Sequence, residues 1–432
     1  MRFKHFFTYS LICLLVFSGL AFSSEIESFT INGLKVIFKQ NTSTDIVSAN
    51  MYFRGGCTLL DLDQAGIENF MLTVAQKATQ NYPKDELNAA LEEMNTRVSH
   101  STNPDYSSLN MQCVKQNFKR SWDIFTDMIL HPLFDPADVE LERKKLLSAV
   151  KQRKDDPDSY VDMLLNESFY ANHPYSIDEN GTEITLSSFS AEDLKKFNQR
   201  RLETSQLLLV VVGNTTRSEL EKLVKKSFSN LPVGSFQAEK PPMVQTSEPS
   251  IKIVQRDLPT KYIRGNFAAP GFGTEESYAM QIATSILRDR LFEEVRTKRG
   301  LSYAPGAGYG SHFSAYGYIY VTAVDPDTTI QVMQDEVKKL IDQPVPLKDL
   351  NNKINQFITR FYMSNETNRA QAELLAKYEL SGAGYQEYLR FIERLKNLTP
   401  EGVHEVCQKY MKNFQFVLLG NPESLQVGRF MF

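Results

Sequence analysis

The chain has 432 residues with 48 basic and 52 acidic side chains, so its formal net charge is −4 at pH 7. This mildly acidic balance argues against a nucleic-acid partner, because nucleic-acid-binding proteins present clustered basic charge. The length predicts two or more domains, each large enough to bury a core of its own.

Residues 1–24 have the pattern of a secretory signal. Arg2 and Lys4 precede an apolar run from Leu11 to Phe22. That run is shorter than the roughly 20 residues of a membrane span, and Ala21-x-Ser23 suits signal peptidase. Removal of the two basic residues takes the net charge from −4 to −6. We therefore expect a periplasmic or secreted protein without stable membrane insertion.

The first half opens with strand and helix signals. Two β-rich runs flank Asn32-Gly33 between Phe29 and Phe38, which predicts a hairpin with a type I′ turn. After a third strand from Ile46 to Phe53, apolar residues recur on one helical face and predict a helix packed on a sheet. These apolar residues are Ile67, Phe70, Met71, Val74 and Ala78. Further on, a long charged helix is predicted from about Pro136 to Tyr170.

Cysteine and histidine positions limit the possible cross-links and metal sites. Beyond the signal, the cysteines are Cys57, Cys113 and Cys407, so at most one disulfide can form within the chain. The pair of Cys57 and Cys113 is the more plausible, since both lie on strand-like segments, but the sequence leaves the bond open. No two of the six histidines lie within 25 residues of each other, so no local zinc motif can be built. A site assembled from distant histidines stays open.

The chain contains an internal repeat. Residues 231–250 carry four prolines and little periodicity, which predicts a linker between domains at residues 25–230 and 251–432. Each half ends with a helix and an apolar strand that leads to Gly213-Asn214 or Gly420-Asn421. We therefore predict an α+β chain of two related α/β domains of about 200 residues, each a mostly antiparallel sheet covered by helices.

The second half contains an amphipathic helix and an aromatic stretch. Apolar residues from Ser277 onward predict a helix that Gly300 ends. Arg296 falls in its last turn and Tyr303 at the start of an extended run, so a reversal at Gly300 would bring guanidinium and phenol to one surface. The alternative is an arginine that hydrates a helix end and a core tyrosine. The glycine-rich residues 304–310 lack the ending of a phosphate cradle, so we expect a close-packed loop.

The segment from Arg296 to Tyr303, R-T-K-R-G-L-S-Y, resembles the C-terminal half of the insulinase-like zinc metallopeptidases. That group includes pitrilysin and the mitochondrial processing peptidases. In the family, an arginine and a tyrosine seven residues apart reach a substrate bound at zinc. The resemblance covers roughly residues 26–425 and implies a metallohydrolase-like fold that forms half of a clam-shell. It makes Arg296 and Tyr303 candidate catalytic residues.

The resemblance does not extend to the zinc-binding residues. In active family members the first-half helix carries His-x-x-Glu-His, where two histidines bind zinc and the glutamate activates water. Here Asn69 and Thr73 stand at the histidine positions and Leu72 at the glutamate. A further glutamate ligand, about 76 residues on in the family, is matched by Ala149. We therefore expect no metal site and no cofactor in this chain.

The resemblance implies the non-zinc subunit of a two-chain insulinase-like peptidase, inactive alone. Arg296 and Tyr303 would serve a zinc-bearing partner subunit in binding peptide substrates and in transition-state stabilisation. A second hypothesis is a catalytically inactive family member that acts as a peptide-binding or scaffold protein. A third, a self-sufficient hydrolase, lacks support because no Gly-x-Ser-x-Gly elbow or Cys-His signature is present.

Overall fold

The computed structural model describes residues 26–423 and 425–432. The predicted signal, residues 1–24, lies outside the described residues. Six strands of the first half form one mixed sheet, in which neighbours are antiparallel except for the parallel second and sixth strands. In chain order these strands are β1 (Ile26–Ile31), β2 (Leu34–Gln40), β3 (Ile46–Arg54), β4 (Arg97–Thr102), β5 (Tyr106–Val114) and β6 (Leu207–Gly213).

The order of the first sheet is β1-β2-β6-β3-β5-β4. The expected hairpin forms its outer edge, where Asn32 and Gly33 have φ angles of 47° and 78° and link Ile31 to its partner Leu34. Strand β6 is buried along its whole length, which explains its unbroken apolar sequence. Strand β4 forms the other edge.

Eight α-helices belong to the described residues of the first half. They are α1 (Ile67–Ala75), α2 (Lys84–Glu93), α3 (Phe118–Leu130), α4 (Pro136–Asp155), α5 (Pro157–Phe169), α6 (Glu183–Ser188), α7 (Ala191–Arg201) and α8 (Arg217–Phe228). The prediction of one long helix from Pro136 to Tyr170 is wrong, because the helix is interrupted at Asp156. Pro157 disfavours a helical conformation for the residue before it, and the Asp156 carboxylate caps the next helix by accepting from the Ser159 N–H at 2.9 Å.

The second half repeats this plan with five strands and six helices. The strands are β7 (Ser250–Val254), β8 (Lys261–Ala268), β9 (Gly306–Gly310), β10 (Tyr316–Ala323) and β11 (Gln415–Leu419). The helices are α9 (Glu275–Leu291), α10 (Pro326–Asp342), α11 (Leu347–Ser364), α12 (Asn368–Leu380), α13 (Glu387–Lys396) and α14 (Pro400–Tyr410). The predicted linker, residues 231–250, contains no helix and ends at the first residue of β7.

The topology of the second sheet shows the internal repeat directly. Its order, β7-β11-β8-β10-β9, contains one parallel pair, β7 with β11, as β2 with β6 is the parallel pair of the first sheet. Strands β11, β8, β10 and β9 therefore correspond in position to β6, β3, β5 and β4. The chain has the predicted α+β fold of two related, mostly antiparallel sheets covered by helices.

The two halves exchange one helix each, which the sequence did not predict. Helix α12 of the second half packs Leu375 and its neighbouring alanines against Leu208 and Val210 on one face of the first sheet. In return, α5 of the first half packs Leu165 against Leu419 of the second sheet. Each sheet is therefore completed by a helix from the other half.

The glycine-rich segment forms edge strand β9, so the prediction of a loop is wrong. Glycine is required because this strand runs close under two tyrosine rings. A Cβ added at Gly308 would lie 2.7 Å from the ring of Tyr318, and one at Gly310 would lie 2.4 Å from that of Tyr316. Such contacts are too close for any side chain, so the glycines allow the edge strand to pair with β10.

The three cysteines of the described residues are all free and buried. Cys57 lies in a short turn after β3, in the apolar cluster between the two halves, whereas Cys113 lies on β5 in the core of the first half. The suggested bond between Cys57 and Cys113 is not formed, because the two thiols belong to different clusters.

Candidate functional site

The end of helix α9 brings Arg296 and Tyr303 into contact. The helix continues beyond Leu291 as one π-helical turn, Phe292–Thr297. Gly300 then adopts a left-handed conformation, with φ of 61°, and the Leu301 N–H donates to the Val295 carbonyl at 2.9 Å. This reversal places the guanidinium carbon of Arg296 4.0 Å from the centroid of the Tyr303 ring. Strand β9 begins only at Gly306, so Tyr303 lies in the connecting bend and not at the start of a strand as expected.

A second aromatic ring holds Arg296. Its guanidinium carbon lies 4.8 Å from the centroid of the Phe292 ring, so the cation contacts two rings. The π-helical turn that carries Phe292 and Arg296 is a rare conformation that occurs often at functional sites. Phe292 was not predicted from the sequence, although its position four residues before Arg296 on a predicted helix was an available signal.

Tyr303 is open to solvent, and Arg296 is half-buried. The Tyr303 side chain is 79% exposed, which rules out the alternative of a core tyrosine. Within residues 26–423 and 425–432, neither the Tyr303 hydroxyl nor the Arg296 guanidinium has a hydrogen-bond partner. A ligand could therefore accept from both groups without displacing an internal bond.

Neighbouring charges leave Arg296 as an uncompensated cation. Glu294 accepts from Lys298 at 2.6 Å and from Arg299 at 2.5 Å, and these hydrogen bonds lower the pKa of its carboxyl to about 2. Glu293 lies 4.0 Å from the same lysine. Both acidic groups of the turn are thus associated with other basic groups, which leaves the positive charge of Arg296 available to a ligand.

Helix α1 carries the three residues that stand at the positions of the zinc motif. Asn69 and Leu72 are buried, and Leu72 belongs to the apolar core of the first half. Thr73 donates its hydroxyl to the Asn69 carbonyl at 2.7 Å. Ala149 lies on α4, which packs against α1, and its methyl group is exposed. The four positions therefore carry an amide, a hydroxyl and two hydrocarbon groups.

A histidine from strand β4 fills the space beside α1. The His100 Nδ1 lies 2.7 Å from the Gln76 amide nitrogen, so it accepts a hydrogen bond. Its Nε2 lies 3.1 Å from the Asn69 Oδ1 and 3.2 Å from the Thr73 hydroxyl, so it carries the proton. Burial, assisted by Lys77, lowers the pKa of His100 to about 4. His100 is therefore neutral at pH 7, and this role was not predicted from the sequence.

The donor set beside α1 does not fit zinc. Zinc sites use cysteine, histidine and carboxylate ligands, and here one histidine is surrounded by an asparagine, a threonine and a glutamine. The ring nitrogens of His100 are already used in hydrogen bonds to these neighbours. In the part of the chain that the structure describes, no group of three His, Cys, Asp or Glu side chains could hold a metal ion.

The Arg296 and Tyr303 pair is not in contact with the polar cluster beside α1. Among the described residues, no hydrogen bond, ion pair or ring contact links Arg296 or Tyr303 to Asn69, Thr73 or His100. The chain therefore holds one open donor pair in its second half and, in its first half, a polar cluster whose side chains bond to one another.

Two family models match the sequence. Residues 35–182 match the model described as "Insulinase (Peptidase family M16)", and residues 188–357 match "Peptidase M16 inactive domain". Together they leave only residues 183–187 unmatched between 35 and 357. The chain belongs to the insulinase (M16) peptidase family. The resemblance seen in the sequence is confirmed.

Relatives in other organisms match over almost the full chain. An "Uncharacterized zinc protease" of Rickettsia felis is 22% identical over 415 residues, covering 93% of this chain and 99% of its own. A "Non-peptidase homolog YmxG" of Helicobacter pylori is 20% identical over 425 residues, with coverage of 94% and 97%. The crystal structure of a peptidase M16 inactive domain from Pseudomonas fluorescens superposes with a TM-score of 0.85 at 17% identity, covering 92% of this chain and 98% of its own. This last likeness is one of fold.

The names of the relatives can be compared with the state of the zinc motif in this chain. Residues 188–357 match the inactive-domain model, and of the two relatives one is named a zinc protease and the other a non-peptidase homolog. The first half carries none of the groups of the zinc motif. This insulinase-family chain therefore has a zinc motif without its ligands and general base. None of its described helices has the length and apolarity that crossing a membrane requires.

Proposed function

We propose that this inactive insulinase-family chain is the peptide-binding companion of a zinc-bearing insulinase-like subunit. In this arrangement the partner supplies the metal, and Arg296 and Tyr303 supply hydrogen-bond donors to the bound peptide. The chain alone has no peptidase activity, because Asn69, Leu72, Thr73 and Ala149 replace the groups of the zinc motif.

The observation that carries this proposal is the exposed contact of Arg296 with Tyr303. Their ring-to-cation distance is 4.0 Å, yet the hydroxyl and the guanidinium N–H groups have no acceptor among the described residues. Hydrogen-bond donors without internal partners are available to a ligand. A structural arginine would be expected to bond with a nearby carboxylate, and both carboxylates of the turn are associated with other residues.

The chemistry of the pair suits a peptide carbonyl. An arginine N–H and a phenol O–H can each donate one hydrogen bond to the same carbonyl oxygen, which has two lone pairs. If negative charge develops on that oxygen during hydrolysis at the partner's metal, both donors bind it more strongly in the transition state than in the ground state. Loss of one such donor typically lowers turnover by about 100- to 1000-fold.

A second candidate function is a peptide-binding or scaffold protein that works without any peptidase partner. The name of the Helicobacter pylori relative, a non-peptidase homolog, favours it. In this case the same pair would bind a peptide carbonyl in the ground state only. The two proposals share the peptide-binding role of Arg296 and Tyr303 and differ in the partner.

We further propose that the chain acts in the periplasm or outside the cell. Residues 1–24 carry the secretory pattern, and after their removal the first strand would begin at Ile26, the second residue of the remaining chain. A short mature terminus of this kind leaves the fold intact after cleavage. Sequencing the N-terminus of the protein from envelope fractions tests this location.

Affinity purification of the tagged chain from its own cell envelope tests the partner. The first proposal predicts co-purification with a chain that carries His-x-x-Glu-His, one zinc per complex, and peptidase activity that a chelator abolishes. A chain that purifies without a zinc-bearing partner, but still binds peptides through Arg296, would reject the first proposal and support the second.

A further inference from the structure

A groove of about 340 Å³ lies in the second half between α9, β9 and α11. Its volume falls at the lower end of the range of small-ligand pockets, roughly 300–1,000 Å³. It shares no lining residue with the Arg296 and Tyr303 pair. None of the functions considered above uses it.

Aromatic rings line much of this groove and fix its shape. Phe361 of α11 stacks on Phe391 of α13, with ring centroids 4.5 Å apart and planes inclined by 16°. On the other side, Phe272 packs on Tyr378 at 5.0 Å. These rings touch one another before any ligand arrives, so the apolar lining is preformed.

The charged residues of the lining are both arginines. Arg288 of α9 and Arg360 of α11 line the groove, and its described lining includes no carboxylate. The Arg360 guanidinium has no hydrogen-bond or ion-pair partner within the described residues and lies 5.7 Å from the Phe357 ring. The groove therefore combines an apolar lining with cations, a combination that complements a small anionic molecule with an apolar body.

The other arginine is only weakly neutralised. Arg288 lies 3.6 Å from Asp289, but the carboxylate of Asp289 also accepts from Lys353, which is buried. The remaining donor contact of Arg288 is to the Ser285 hydroxyl at 3.4 Å. One carboxylate is thus shared by two cations, which leaves a net positive charge beside the groove.

A third basic residue, Lys377, lies behind the lining of the groove. Lys377 of α12 donates to the Ser311 hydroxyl at 2.6 Å and lies 4.4 Å from the Phe272 ring, and both of these residues line the groove. Burial lowers the pKa of the Lys377 ammonium to about 8. An anion in the groove would stabilise the charged form of this lysine, so its position adds to the preference for an acid.

We propose that the groove binds a carboxylate attached to an aromatic or short aliphatic body, with the body against the rings and the carboxylate facing Arg288 and Arg360. The same chemistry occurs at the free C-terminus of a peptide that ends in an apolar residue and in a free aryl or alkyl acid. The amide of Gln281, which also lines the groove and has no side-chain hydrogen bond among the described residues, supplies a further donor.

Calorimetric titration of the full-length chain tests this site with two acids. The probes are 3-phenylpropionate and the tripeptide N-acetyl-Ala-Ala-Phe with a free carboxylate, each compared with its uncharged amide. Binding of both acids shows that the groove recognises the carboxylate beside an apolar body. Binding of one alone identifies the ligand as a small acid or as a peptide C-terminus. We expect each amide to bind at least about 10-fold more weakly, since hydrogen bonds to charged groups are the strong ones.

Substitutions in the groove locate the site. Arg288→Gln and Arg360→Gln should each lower the affinity for the acids by about 10-fold. Ser364→Trp should block the groove from its exposed rim. Arg120→Gln is the matched control, since Arg120 is an exposed arginine of the first half that pairs with Glu93 at 2.9 Å. Equal affinity of acid and amide, unchanged affinity in all three groove variants, or no saturable binding of either acid would overturn the proposal. Because Arg296 and Tyr303 are untouched, the outcome does not depend on the proposed function.

Discussion

Arg296 lies with its guanidinium carbon 4.0 Å from the centre of the Tyr303 ring, and the hydroxyl of that ring is free. The contact holds a cation and a phenol side by side on an exposed surface. Because the cation is fixed by rings and not by a carboxylate, its N–H donors remain available. The proposed peptide-binding role depends on this property.

Phe292 should act as a positioning residue for Arg296. In the complex, Phe292→Leu keeps an apolar side chain but removes the ring face that the cation contacts at 4.8 Å. An exposed cation–π contact contributes about 0.5–1 kcal/mol, so we expect peptide affinity to fall by about 2- to 5-fold with little change in the melting temperature. Phe29→Leu is the matched control, because Phe29 contacts Arg217 in the same way in the first half. Equal effects of the two variants on peptide affinity would contradict this role.

Restoration of the zinc motif should not give an efficient enzyme. The variant with Asn69→His, Leu72→Glu, Thr73→His and Ala149→Glu regains the ligand types, but residues that orient such ligands are also needed. Leu72 is 2% exposed and packs in the apolar core, so a carboxylate there should lower the free energy of unfolding by about 2–4 kcal/mol. Urea unfolding of Leu72→Glu and peptidase assays of the quadruple variant check both statements. Robust turnover by the quadruple variant alone would show that the site had stayed ready for catalysis.

His100 should make the fold sensitive to acid. Its folded pKa of about 4 lies below the ordinary value of 6.5, so the unfolded chain takes up a proton at higher pH than the folded chain. The stability that depends on neutral His100 is fully present above pH 6.5 and is lost as the pH falls toward 4. Between pH 7.5 and pH 4.5 this loss amounts to about 2–3 kcal/mol.

Urea unfolding of the wild type and of His100→Gln at both pH values isolates this contribution. Other groups titrate in both proteins, so their effects cancel. The difference between the two proteins in the pH-induced loss of unfolding free energy is therefore due to His100. Glutamine keeps a polar side chain beside Asn69 and Gln76 but cannot take up a proton. Equal losses in the two proteins would contradict the assignment.

The first half should not fold well alone. Residues 25–230 without α12 would expose the sheet face of Ile37, Leu208 and Val210, which α12 covers with Leu375 in the intact chain. We expect this fragment to aggregate or to bind a hydrophobic dye, and co-expression with residues 251–432 to restore a soluble complex. A monomeric first half with a cooperative thermal transition would show that the exchanged helix is dispensable.

The sequence predicted the elements whose signals are local. The hairpin at Asn32-Gly33 and the repeat ending at Gly213 and Gly420 follow from turn chemistry and periodicity, and both are present in the structure. The break at Asp156 was missed although Pro157 was visible, because the charged pattern continues across it. The exchange of α5 and α12 between the halves could not be predicted, since helical periodicity indicates that a face is buried but not which sheet covers it.

The candidate site was predictable to the same degree. Arg296 and Tyr303 were found because a family resemblance marks them and Gly300 allows the reversal between them. Phe292 and His100 were missed for different reasons. Phe292 looked like an ordinary apolar helix residue, and His100 acts through Asn69, Thr73 and Gln76, which come together only when β4 packs beside α1.

The most direct test of the proposed function is the turnover of a peptide by the chain reconstituted with its zinc-bearing partner, compared between wild type and Tyr303→Phe. Phenylalanine keeps the ring over Arg296 and removes only the exposed hydroxyl, so folding and subunit association should be unchanged. Thermal melts and co-elution verify this, and Arg296→Ala serves as the second variant. The proposal predicts that kcat falls by about 100-fold or more in each variant. Unchanged turnover in Tyr303→Phe, with the complex formed, would contradict it.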